Sequence, residues 1–213
     1  MQELFNYALL TFTSFFTLIN PLGVMPIFMT MTANLTENQK IKTAKKAILV
    51  SFLTIFLFGF TGQLLFKFFN ISVNSFRVVG GIIFFIMGMD MLQARLTNVR
   101  INSEEIKSYI NDISVTPLGI PMICGPGAIT NSIVLMNDAK HIEFKIIFLV
   151  TVILVLLLTY IVLISSAKLS KLIGETGNNV LMRLMGLIIM VIAVEFFFSG
   201  LIPIIKDNLI NLK

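Results

Sequence analysis

The residues of this chain with the most chemical potential form two short proline–glycine motifs set in apolar surroundings. Asn20-Pro21-Leu22-Gly23-Val24-Met25-Pro26 is the first, and Thr116-Pro117-Leu118-Gly119-Ile120-Pro121 followed by Gly125-Pro126-Gly127-Ala128-Ile129-Thr130 is the second. Proline removes a backbone N–H and clashes with the preceding turn, while glycine permits dihedrals that other residues avoid. A helix crossing either motif is expected to break or kink, leaving N–H and C=O groups without their helical partners. In hydrocarbon such groups persist only where protein or a cavity shelters them. The chemistry on offer is recognition by partial charge: half-helix N-termini present N–H groups to a carboxylate, and half-helix C-termini present carbonyls to an ammonium. Asn20, Pro21 and Gly23 in the first motif, with Thr116, Pro117, Gly119, Gly125, Gly127 and Thr130 in the second, are the candidate substrate-binding residues. Asn20 and Thr130 flank the motifs directly and add uncharged side-chain hydrogen bonds, as Thr17 and Asn131 do nearby. The glycines act through backbone geometry, and the crowding favours a small ligand.

Catalysis finds little support. There is no HExxH, and Gly88-Met89-Asp90 falls short of the GxGD pattern of intramembrane aspartyl proteases. Cys124 and His141 are each alone, so no intrachain disulfide forms, and neither a metal centre nor a cofactor is expected. One acid stands out. Glu195 lies in the otherwise uncharged run from Leu184 to Ile205, where an acid costs roughly 2.5 to 3.5 kcal/mol on insertion scales. It is the candidate for proton or cation coupling, and the competing reading is a structural hydrogen bond to another helix. Asp90 sits near Arg95 at the end of a span, and Arg77 and Arg183 near the start of theirs, where interfacial placement and snorkelling are the default.

The elements that must hold these residues are membrane helices. Hydrophobic residues make up 56% of the 213, only 13% are charged and the mean hydropathy is +0.93, more apolar surface than a soluble domain of this size could hide. The net charge of +5 is spread over short segments between apolar runs, which points to loop charges that orient helices and not to nucleic acid. The apolar segments are about Leu4–Thr32, Ala47–Phe66, Val73–Leu92, Ile113–Asn137, Ile146–Ala167 and Val180–Ile205, six in all. The first and fourth contain the motifs. The polar connectors include Asn34–Lys46, whose Leu35-Thr36-Glu37 resembles a helix N-terminal turn, a loop marked by Lys168, Lys171 and Glu175, and the long stretch Gln93–Asp112. A cleaved signal peptide is not expected, because Met1-Gln2-Glu3 lacks a basic n-region and the run that follows is too long. Six spans place both termini on one side. One face carries ten basic residues (Lys40, Lys42, Lys45, Lys46, Arg95, Arg100, Lys107, Lys168, Lys171, Arg183) against six on the other (Lys67, Arg77, Lys140, Lys145, Lys206, Lys213), so the positive-inside rule predicts both termini periplasmic.

The motifs also repeat. Pro21-Leu22-Gly23-Val24 matches Pro117-Leu118-Gly119-Ile120 at an offset of 96 residues, and Arg77-Val78-Val79-Gly80 matches Arg183-Leu184-Met185-Gly186 at 106. Three spans per copy is an odd number, so a duplicated copy enters the membrane from the opposite face. The predicted fold is an all-α membrane protein, a single integral membrane domain over 1–213, with six transmembrane segments as two inverted three-helix repeats (about 1–92 and 113–213, joined by the connector 93–112) and helices 1 and 4 broken at Pro-Leu-Gly motifs.

At these same residues the sequence resembles the MarC family of six-span membrane proteins, along essentially the whole chain. An archaeal branch of that family transports small neutral amino acids such as glycine and alanine. The resemblance implies a multi-pass protein of the bacterial inner membrane acting as a secondary transporter of a small neutral solute by alternating access. A channel or a non-transporting structural membrane protein is the alternative. Expected partners are the lipid bilayer and a small-molecule substrate, with a homo-oligomer left open.

Overall fold

The computed structural model describes residues 2–93 and 106–210, and they are helical almost throughout. Helices α1 (Gln2–Ile19) and α2 (Pro21–Met31) follow one another across Asn20, α3 covers Glu37–Phe68 and α4 Val73–Leu92. A short α5 (Ile106–Ile113) leads into a wide-turned segment, Ser114–Ile123, and then α6 (Pro126–Asp138) and α7 (Ile142–Ile210). Arg95, Arg100, Glu104 and Glu105 of the predicted connector lie outside the described residues, as does Lys213. Five helical stretches are long and apolar enough to cross a membrane, and six if Ile110–Ile123 and Pro126–Asp138, bent by 61° against each other, count as one span.

Local chemistry sets several boundaries. Asn20 takes the left-handed conformation (φ 47°, ψ 68°) and its side-chain oxygen caps α2 by accepting from the Gly23 N–H at 3.2 Å, with Pro21 in the first turn. Asparagine is among the few residues that tolerate this region. At the start of α3 the Gln39 side chain accepts from the Thr36 N–H at 2.8 Å. This helix therefore begins ten residues before the apolar run Ala47–Phe66, and Lys40, Lys42, Lys45 and Lys46 ride on its first turns. The loop expected around Lys168–Glu175 is also largely helical. Its interruption is Gly174 (φ 70°, ψ −179°), a region that glycine alone occupies freely.

Packing follows stripes. Tyr7, Thr11, Phe15 and Ile19 recur every fourth residue on α1 and are buried. Small residues line the buried face of α3 (Ala44, Ala47, Ser51, Gly59, Gly62), so neighbouring backbones come close. The tightest pair is α4 with the second half of α7. A Cβ placed on Gly81 would fall 2.7 Å from the Ala193 carbonyl, and one on Gly88 2.8 Å from that of Gly186. As residue numbers rise along α4 they fall along α7, so the two run antiparallel. Leucines 53, 57 and 64, Val150 and Val191 are each more than half exposed, making an apolar outer surface suited to lipid.

Candidate functional site

The break between α1 and α2 opens on a cavity of about 130 Å³, lined by Thr17, Leu18, Ile19, Asn20, Gly23 and Val24 on one side and by Phe84, Met87, Met122, Ile189, Ile192 and Phe196 on the other. None of these side chains is charged. Its polar groups come from the break itself. The Thr17 carbonyl would receive its helical hydrogen bond from residue 21, a proline with no N–H to give. The Ile19 carbonyl would receive one from Gly23, whose N–H instead donates to the Asn20 carbonyl at 2.9 Å and to its side chain. Because the Asn20 oxygen is engaged as a cap, its Nδ2 donors remain for another partner. The Thr17 hydroxyl makes no hydrogen bond among the described residues. The residues lining this edge of an apolar chamber are thus the ones whose amide, hydroxyl and carbonyls the break leaves without helical partners.

The second motif builds the opposite wall without entering it. Gly125 and Gly127 are buried where a side chain would not fit. A Cβ on Gly125 would meet the Phe84 ring, and one on Gly127 would lie 2.9 Å from Leu18 and 3.0 Å from Phe196. These contacts seat lining residues. Pro126 packs where a Cβ on Gly80 of α4 would fall. The backbone departs from helix at Thr116 (φ −131°, ψ 125°) and Ile120 (φ −130°, ψ 125°), with cis peptide bonds preceding Pro117 and Pro121. Thr116 is exposed and Pro117 half-buried. Gly119 is buried on the other side of the segment, against Val50 of α3, and its carbonyl accepts from the Ser51 hydroxyl at 3.1 Å. Pro21 is buried behind the break.

Thr130 and Glu195 stand apart from the cavity lining. The Thr130 hydroxyl is fully enclosed and has no hydrogen-bond partner among the described residues, whereas its neighbour Asn131 donates to Ser14 of α1 at 3.0 Å. Glu195 is exposed on the outside of α7 and makes no ion pair or hydrogen bond among the described residues. No cluster of three or more potential metal-ligating side chains occurs among the described residues.

The structure thus brings Asn20 and Gly23 to the cavity directly, and Gly125 and Gly127 to its supporting wall. The apolar lining on α4 and α7 carried no distinguishing mark in the sequence beyond its nearness to the repeated Gly80 and Gly186. Phe84, Met87, Ile189 and Ile192 look like any other span residue.

Comparison with known proteins gives a consistent answer. Residues 5–205 match the description "MarC family integral membrane protein". A UPF0056 membrane protein of Pyrococcus horikoshii is 36% identical over 94% of this chain and 97% of its own length. The UPF0056 membrane protein YvbG of Bacillus subtilis is 36% identical, covering 93% and 95%, and YhcE of Escherichia coli is 32% identical, covering 89% of each. No solved structure matches.

Proposed function

From the premise that this chain belongs to the MarC family of integral membrane proteins, we propose that it is a secondary transporter of a small neutral or zwitterionic solute, bound in the cavity at the α1–α2 break. The observation that carries this reading is the charge-free cavity of about 130 Å³ lined at the helix break by Thr17, Ile19 and Asn20, whose carbonyls and side-chain amide the break frees from helical pairing. An amino acid such as glycine or alanine matches that set: a carboxylate for the Asn20 donors and an ammonium for the carbonyls, with no room for a long side chain. A net charge on the solute would enter an uncharged, largely apolar chamber uncompensated, at a heavy desolvation cost.

Alternating access around this site follows from the inverted-repeat arrangement, which the antiparallel packing of α4 on the second half of α7 supports. These are the third spans of the two copies, and a direct repeat would make them parallel. The setting is the bacterial inner membrane, with both termini periplasmic. The test is a substrate panel on purified protein in liposomes, glycine and alanine first, under imposed pH or Na⁺ gradients. Saturable uptake with counterflow is the expected result. Unsaturable flux would indicate a channel, and no flux of any small amino acid would favour a non-transporting structural protein.

A further inference from the structure

Glu195 occupies a place where lipid alone is a poor neighbour. It lies sixteen residues after Asn179 and eleven before Lys206 in the span Asn179–Lys206, roughly 24 Å and 16 Å from the two ends at about 1.5 Å per residue. That is deep within a hydrocarbon core of about 30 Å. Its side chain nevertheless points out of the protomer, among the exposed apolar residues Val191, Val194, Phe198 and Ile202. Ser199, one turn on, turns its hydroxyl to the Phe196 carbonyl at 2.8 Å and does not serve the acid. Arg77, the basic residue of the adjoining α4, lies near Gly200, and no ion pair to Glu195 forms. Even a neutral carboxyl leaves polar oxygens unsatisfied in hydrocarbon, and intramembrane acids face protein or water almost without exception.

A second observation lies on the same face. Between α4 and α7 runs an open apolar groove of about 270 Å³, with Gly81 and Ala193 along its floor and Phe85, Val194, Phe197 and Phe198 among its walls. Phe198, three residues after Glu195 and so on the same face of α7, belongs to the groove, and the acid therefore borders it.

We propose that a second copy of this chain covers this α4–α7 face, burying Glu195 in a symmetric interface. A two-fold interface requires a patch that complements itself. This one does so in both respects: a carboxyl group that carries its proton is at once donor and acceptor, so two copies can satisfy each other, and Phe198 and Ile82, half-exposed on the groove's own rim, can seat against the same groove of the other copy. The inference is independent of the transport reading and holds whether or not the protein moves a solute.

The full chain with Cys124→Ala, which removes the sole thiol, provides the background for the test. Val191→Cys, oxidised in native membranes, is expected to give a disulfide-linked dimer. Leu53→Cys, also more than half exposed but on α3, is expected to stay monomeric. Single-molecule photobleaching of the labelled wild-type chain in dilute liposomes should show two steps, and Glu195→Lys should convert them to one while Glu195→Gln retains them. Equal crosslinking of Val191→Cys and Leu53→Cys, a single photobleaching step for the wild-type chain, or a crosslink to a different protein would overturn the proposal. The wild-type measurement decides the matter even if Glu195→Lys fails to fold.

Discussion

At the scale of single residues, Asn20 does two things that a helical residue cannot. Its left-handed backbone ends α1, and its side chain caps α2 with the oxygen while leaving the amide donors at the cavity edge. Asn20→Gly keeps the conformation and removes the donors, so the protein should fold and reach the membrane normally while transport falls. Loss of a hydrogen bond to a charged group is worth about 1.5–3 kcal/mol, or roughly 10- to 150-fold in kcat/KM, measured as initial uptake rates against substrate concentration. Gly23→Ala should act on the same group, since its Cβ would displace the Asn20 amide; a raised KM with wild-type expression is the expected readout. Asn20 could be picked out from the sequence because it flanks a break in an overlong apolar run. Thr116 holds the matching place in the second motif and is exposed, because an extended backbone there turns the side chain outward, and residue type says nothing of that turn.

At the scale of elements, the antiparallel contact of α4 with α7 positions five of the cavity-lining residues, Phe84, Met87, Ile189, Ile192 and Phe196. Gly88→Leu should force the two helices apart and lower the melting temperature in detergent, because a Cβ alone already falls within 2.8 Å of a backbone carbonyl. Gly174→Ala makes a useful contrast. Nothing lies within 4 Å of the added carbon, so any loss comes from the backbone conformation alone, about 1–3 kcal/mol, seen by the same thermal melt. The apolar runs announced the spans because their length matches the bilayer. The helix ends were less legible: lysine and glutamate are good helix formers, so α3 extends back through Lys40–Lys46 to a cap at Thr36, and α7 continues past the predicted loop. Composition marks where lipid ends, and capping and glycine mark where helix ends.

At the scale of the whole molecule, family membership, helical class and membrane setting were already carried by composition and by the two motifs. The cavity was not, since it forms between spans far apart in the chain and most of its lining is ordinary span residues. Both halves of the chain line the cavity: the first supplies the polar edge at Asn20, and the second supplies Met122, Ile189, Ile192 and Phe196. A periplasmic C-terminus is expected from the basic-residue bias, and an alkaline phosphatase fusion there should be active. The central claim is that a transported solute occupies this cavity. The most direct measurement is the rate at which a membrane-impermeant thiol reagent modifies Thr17→Cys in a Cys124→Ala background, with and without solute, in oriented vesicles that carry out uptake. Glycine or alanine at saturating concentration is expected to slow the reaction severalfold while leaving Leu53→Cys in the same background untouched. Uptake that proceeds with Thr17→Cys modified at an unchanged rate would contradict the account.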